Sequence, residues 1–256
     1  MPLGAGPSDL RPSFRPVIVC YHAVSEKWPH QLAVSPSLVC HQLTVLMKRG
    51  YRPARLDDTL TVQRRLLHVT FDDAFASVTR AVPVLKQLGI PCTIFVCTDL
   101  ADTGGPLAIP ELTADLEAYP AELSTLTWAQ LAELPEDLVE VGSHTASHAH
   151  LTQLDDAELR RQLVQSRRRI EEELSRPCRY LAYPFGEEDR RVRIAARDAG
   201  YLAALGLPGR PRPHDDYGIP RVGLFSHDGT FRTAMKASWA GRRVAVTLRT
   251  ARRMAH

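Results

Sequence analysis

Short, continuously apolar runs alternate along this chain with longer stretches in which apolar residues recur every three or four positions. Pro16-Val17-Ile18-Val19-Cys20-Tyr21 has the continuity of a strand covered on both faces, and it stops at His22. Ser35-Pro36-Ser37 then supplies an N-cap and an early proline, and Leu38, Val39, Leu43, Leu46 and Met47 follow at helical spacing up to Gly50. The alternation repeats with a strand near 54–56, a helix from Asp57 and a strand over 66–71 that ends in Asp72-Asp73. A helix over 77–88 stopped by Gly89 and a strand over 92–97 come next. Residues 99–126, with three prolines and two glycines, read as a long connection of the kind that is commonly functional. Beyond it the pattern predicts a short helix over 128–134 and a strand over 138–141 running into Gly142-Ser143-His144. A long helix then opens at Asp155-Asp156 and reaches about Leu174. A strand over 179–183 leads to Pro184-Phe185-Gly186, and a helix over 189–199 and a strand near 202–205 complete the series.

Repeated strand–helix units without long interruption predict an α/β fold, a parallel sheet wrapped by helices. A closed barrel and an open doubly wound sheet both satisfy this pattern. No glycine-rich phosphate loop follows any of the strands, which argues against nucleotide cofactor chemistry.

At 256 residues the chain suits a single sizeable domain. Residues 1–16, with four prolines and two glycines, read as a flexible leader, 17–230 as the domain and 231–256 as a basic C-terminal helical tail. Hydrophobic usage of 44% and charged usage of 24% exclude wholesale disorder and collagen-like or disulfide-scaffold proteins. The net charge of +3 is uneven: seven cations and no acid lie between Phe231 and His256, so the body before them is mildly acidic. A nucleic-acid partner should leave a basic face on that body, and none is expected. The arginine clusters at 160–161 and 167–169 interleave with Glu158 and residues 171–173, as on a solvated, ion-paired helix face. The first residues lack the apolar core of a secretory signal, and nowhere do 18 uncharged apolar residues run together. The expected setting is the cytoplasm, with Cys20, Cys40, Cys92, Cys97 and Cys178 as reduced thiols outside any CxxC.

Titratable residues fall at the ends of successive predicted strands, at His22, Asp72-Asp73 and His144, where the loops of parallel α/β folds meet. One of the two aspartates would serve as a helix N-cap on a purely structural reading, but two adjacent carboxylates exceed that need. Side chains alternate along an extended segment, so one metal ligand and one base is the preferred division. His144-Thr145-Ala146-Ser147-His148 places two imidazoles four residues apart, either as exposed loop histidines together with His150 or aimed at a shared ion. Joined to Asp73 they make a His, His and carboxylate set. That is the composition of a catalytic zinc site, or of one for cobalt, iron or nickel, with positions left open.

Three segments, Thr70-Phe71-Asp72-Asp73, Gly142-Ser143-His144-Thr145-Ala146-Ser147-His148 and Ala182-Tyr183-Pro184-Phe185-Gly186, resemble in order and spacing the first three motifs of the polysaccharide deacetylase family, carbohydrate esterase family 4. Cys20-Tyr21-His22, the Leu-Gly-Ile-Pro turn at 88–91 and Thr127-Trp128 are similar to the branch of bacterial poly-N-acetylglucosamine deacetylases. The resemblance spans roughly residues 17–225 and implies a distorted (β/α) barrel of about seven strands in one domain. It implies hydrolysis of an N-acetyl group on an amino sugar or glycoside. Asp73, His144 and His148 would hold one divalent metal, zinc first, with Asp72 as general base and the Phe185 backbone N–H on the oxyanion.

The sequence departs from the family in three places. Ala182 stands where the third motif usually has an arginine that orients the base, as is common in the nearer branch, and Ala74 replaces the glycine after the two aspartates. The fifth motif, a Leu-rich strand ending in His, has only Leu224-Phe225-Ser226-His227 as its nearest match, and Asp228-Gly229 suggests a turn there. His22 is the preferred general acid, since a departing amine must be protonated, and His227 is second. The alternatives are a deformylase or amidase for a non-sugar amide, or an idle sugar-binding relative. In the cytoplasm a small glycoside, a nucleotide- or lipid-linked sugar or a biosynthetic intermediate is the expected substrate. For the tail, a helix docked on the barrel is preferred to one resting on anionic lipid.

Overall fold

In a computed structural model, described for residues 16–62, 64–207 and 215–238, nine strands form one all-parallel sheet. They are β1 (Val17–Tyr21), β2 (Arg52–Pro53), β3 (Leu66–Phe71), β4 (Cys92–Val96), β5 (Val139–Ser143), β6 (Tyr180–Ala182), β7 (Ala203–Gly206), β8 (Ile219–Pro220) and β9 (Val222–Gly223). The order is β8-β7-β6-β5-β4-β3-β1-β9, with β2 beside the start of β3. β8 and β9 are separated only by Arg221. Ile219 and Pro220 pair with Leu205 and Gly206 of β7, whereas Val222 and Gly223 pair with Val19 and Cys20 of β1. One extended segment therefore joins the two ends of the sheet. The ring has seven staves, β1, β3, β4, β5, β6, β7 and residues 219–223, and is the distorted barrel the sequence led us to expect.

The helices start where local chemistry permits. Ser35 caps α1 (Pro36–Lys48) by accepting from Leu38 N. α2 (Leu56–Thr61) follows β2, and Leu56 plugs the barrel interior beside Ile18, Phe95, Tyr180, Ala182, Ala203 and Leu205. The helix expected over 77–88 divides into a 3-10 turn, Ala76–Ala81, and α3 (Val82–Leu88). Pro83 has no N–H to donate back along a continuous α-helix, which accounts for the break. The connection at 99–126 is not bare loop, because α4 (Thr98–Ala101), α5 (Thr113–Ala118) and α6 (Pro120–Leu123) occupy much of it. A capping box between Thr127 and Gln130 opens α7 (Trp128–Ala132), and Asp155 and Asp189 cap α8 (Asp156–Leu174) and α9 (Arg190–Asp198). α10 (Thr230–Ala237) packs on α1, Gln42 donating to the Asp228 carbonyl and Tyr51 to the Ala237 carbonyl. The leader to residue 15 and the tail from 239 lie outside the described residues. No described helix is long and apolar enough to cross a membrane.

The barrel interior carries polar groups as well as apolar ones. His68 of β3 is bonded on both ring nitrogens, to the Ala54 carbonyl at 2.9 Å and to Thr93 Oγ1 at 2.9 Å. Burial pushes its pKa down to about 4. The unfolded chain then binds a proton that the folded one refuses between pH ~6.5 and ~4, so stability falls as pH drops through that window, by about 3 kcal/mol for this site. Urea unfolding at pH 7 and pH 4.5 should show this loss, and His68→Gln should lessen it.

Candidate active site

Alternation along the strands carries polar chemistry to one end of the barrel. Ile18, Cys20 and His22 share a parity on β1, as do His68, Thr70 and Asp72 on β3. Asp72 N is tied to the Tyr21 carbonyl at 3.0 Å and His144 N to the Val96 carbonyl at 2.8 Å, so each catalytic candidate leaves the sheet from a fixed point. His22, Asp72, Asp73, His144, His148 and Phe185 are brought together at this C-terminal rim, the first five by charge coupling or direct contact and Phe185 through its ring.

The turns that bear these side chains are strained. Among described non-glycine residues with positive φ, five of six are Asp73 (67°), Ala74 (50°), Thr145 (71°), His148 (59°) and Phe185 (57°). Each costs about 1–3 kcal/mol and persists only where its surroundings dictate it. The expected glycine is missing at 74, and Ala74 bears the left-handed conformation itself. Around His144 and His148 the turn is fixed by its own small polar residues. Ser143 Oγ accepts from Thr145 N, and Thr145 Oγ1 accepts from His148 N. Gln162 of α8 accepts from both Ala146 N and Ser147 N at 3.0 Å. The 98–126 connection braces the turns that bear Asp73 and His148: Thr98 N and Asp99 N donate to the Thr145 and Ala146 carbonyls, while Ala76 N and Leu126 N donate to the Ser124 and Ala74 carbonyls.

Asp73 Oδ1 lies 3.3 Å from His144 Nε2 and 3.2 Å from His148 Nε2, with all three side chains buried. His144 Nδ1 sits 2.8 Å from the Ala182 carbonyl, which can only accept, so Nδ1 carries the proton. The neutral ring therefore turns a lone pair toward a carboxylate oxygen that has no hydrogen-bond donor of its own. Only positive charge reconciles these groups. Burial opposes protonation of His144, yet the carboxylates of Asp72 and Asp73 outweigh it and raise its pKa. Burial would likewise raise Asp73, and the two imidazoles instead hold it well below the carboxylate range. The three residues fit a divalent cation, and their composition is that of an open catalytic site.

Asp72 has a different environment, supplied by a residue the sequence reading missed. Arg221, buried at the junction of β8 and β9, grips it with Nη1 at 2.6 Å from Oδ1 and Nη2 at 2.7 Å from Oδ2. Burial alone would raise the Asp72 pKa, but the guanidinium overrides it and holds the carboxyl at about 2. Arg221 thus supplies beside Asp72 the guanidinium that Ala182 cannot. Its signal was a lone cation in the apolar stretch 219–225.

His22 stands beside both aspartates, its Nδ1 buried and without a hydrogen-bond partner among the described residues. Burial lowers its pKa, and Asp73 and Asp72 pull against that shift. His227 is placed elsewhere. Its side chain is 45% exposed and its ring stacks on Phe225. The strand ends at Gly223, and Phe225 to Asp228 form the turn that Asp228-Gly229 suggested.

Phe185 lies in the turn Pro184–Gly186, where a Cβ on Gly186 (φ 62°) would stand 2.6 Å from Leu207 Cγ. Its ring meets His148 edge-on at 4.6 Å and His150 face-on at 3.9 Å, and Glu187 anchors His150 Nδ1 at 3.2 Å. His150 is therefore a ring packed on the turn beside His148.

Known proteins share this architecture. The deacetylase PplD from Streptococcus pyogenes, solved with acetate, is 19% identical with a TM-score of 0.71, covering 88% of this chain and 98% of that one. A polysaccharide deacetylase from Bacillus cereus is 20% identical with a TM-score of 0.71, covering 88% and 69%. IcaB from Ammonifex degensii is 25% identical with a TM-score of 0.69, covering 89% and 97%. Residues 59–204, which contain the two aspartates, His144, His148 and the Pro-Phe-Gly turn, match the family described as polysaccharide deacetylase. The barrel, the paired carboxylates with distinct partners and this match agree: the chain belongs to the polysaccharide deacetylase family, whose members hydrolyse acetyl groups from carbohydrates.

Proposed function

We propose that this chain is a metal-dependent hydrolase that removes the N-acetyl group of an amino sugar or glycoside. The observation that carries the reading is the buried convergence of Asp73, His144 and His148 beside an Asp72 held ionised by Arg221. A divalent cation on those three ligands, zinc first and cobalt, iron or nickel as alternatives, would supply Lewis-acid polarisation of the acetyl carbonyl and acidify the attacking water.

The remaining work falls to the chain. Asp72, oriented by Arg221, takes a proton from the water as its oxygen bonds to the acetyl carbon. The role of steadying the oxygen on which negative charge gathers is assigned to the backbone N–H of Phe185, in the left-handed turn whose ring packs on His148. His22 gives its proton to the nitrogen, the C–N bond breaks, and acetate and a free amine leave. His22→Ala should lower kcat by about 100-fold or more, whereas His227→Ala should stay close to the parent.

The branch resemblance favours an N-acetylglucosamine unit. A cytoplasmic setting is our reading too, supported by five unpaired cysteines, and it favours a small glycoside or a carrier-linked sugar over an exported polymer. The test is a product assay on short N-acetylglucosamine compounds, an N-formyl amine and a simple peptide amide, with zinc or cobalt supplied. Acetate from the sugars alone supports the proposal. Formate alone would make the protein a deformylase, and no product from any amide with cation bound would leave an idle relative.

A further inference from the structure

One thiol sits inside the barrel directly under the base. Cys20 of β1 is fully buried, and its Sγ donates to Asp72 Oδ2 across 3.4 Å. One donor atom each from Cys20, His22 and Asp72 lies within 4.8 Å of the others, a spacing that a single ion can bridge. None of the three belongs to the Asp73, His144 and His148 set. His22 Nδ1 is buried and unbonded, while Arg221 engages both Asp72 oxygens without using the electron pair that receives the thiol hydrogen. A cation that replaces this hydrogen gains sulfur, nitrogen and oxygen ligands at once, a combination that suits thiophilic ions.

We propose that Cys20, His22 and Asp72 form a second, inhibitory site for a thiophilic divalent cation, with zinc or cobalt as the chemical type. On binding, the S–H bond breaks, the proton leaves to solvent, and the sulfur electron pair goes to the ion. The cation then holds the carboxylate that accepts the water proton and the imidazole that protonates the amine, so turnover stops. Arg221, 2.7 Å from Asp72 Oδ2, repels an incoming cation, which makes this site the weaker of the two and fills it only in excess. The inhibition rests on the function proposed above, but the binding does not.

The test adds cobalt stepwise to the metal-free, full-length protein and to Cys20→Ser and Cys20→Ala, following bound equivalents, near-ultraviolet thiolate-to-cobalt absorption and acetate release. The parent should take a second equivalent that brings the absorption band, and both variants should lack both. Each protein is compared with its own activity at one equivalent. The parent should lose about 100-fold at saturation, the scale on which a general base contributes, and the variants less than about twofold. A second equivalent without the band, a band that survives in both variants, or equal inhibition of all three proteins would overturn the proposal. A band appearing with the first equivalent would overturn the proposal too, because the Cys20 site would then be the tighter of the two.

Discussion

Asp72→Asn is expected to lower kcat by about 10²–10⁴-fold while leaving one equivalent of cation bound. The amide keeps the outline of the carboxylate and one oxygen for Arg221, but it cannot take a proton from water. Asp73, His144 and His148 contact one another through Asp73 Oδ1, and among the described residues no hydrogen bond or ion pair joins them to the Asp72 side chain, so the proposed cation ligands should be retained. Steady-state acetate release and metal analysis on the same preparation check both halves. Unchanged turnover would remove Asp72 as the base, and loss of the cation would merge its role with that of Asp73.

The second large effect concerns Arg221→Met. Here the charge of Asp72 stays buried and loses the guanidinium that neutralises it, which costs about 3–5 kcal/mol in stability when one partner of a buried pair is removed. Burial then meets only the pull of His144 and His22 on the Asp72 carboxyl, and its pKa rises from about 2. In the parent, that low folded pKa gives stability that is present above the unfolded value near 3.8 and is lost as pH falls through ~2. The variant loses this contribution, so its acid limb moves to higher pH. The double variant Arg221→Met with Asp72→Asn removes the stranded charge and should be more stable than Arg221→Met alone, as urea midpoints would show. Equal stabilities would mean that the pair carries no coupling.

Much of the site was legible because buried parallel strands leave unbroken apolar runs, and the first polar residue after each run marks the rim. That logic reached His22, Asp72, Asp73 and His144 from the sequence. It failed at Arg221 because the strand there is only two short pairs around a residue flanked by Pro220, which no periodicity of two can reveal. The same brevity misled the reading of Leu224 to His227, whose polar residue comes after the chain has already turned out of the ring. Helix 77–88 was too long on paper because apolar spacing survives a proline that hydrogen bonding does not. The connection at 99–126 gave no pattern of its own, since its short helices are held by outside contacts such as Trp28 Nε1 to Asp115 Oδ1 at 2.6 Å.

In the proposed function, Asp73, His144 and His148 hold one cation that the deacetylation requires. The most direct measurement of this requirement is the rate of acetate release from a short N-acetylglucosamine oligomer as zinc or cobalt is returned to chelator-treated protein. A negligible starting rate, a linear rise that breaks at one equivalent, and no rise in His144→Ala are expected. Acetate release that is undiminished by chelation, or that recovers equally in His144→Ala, would contradict it.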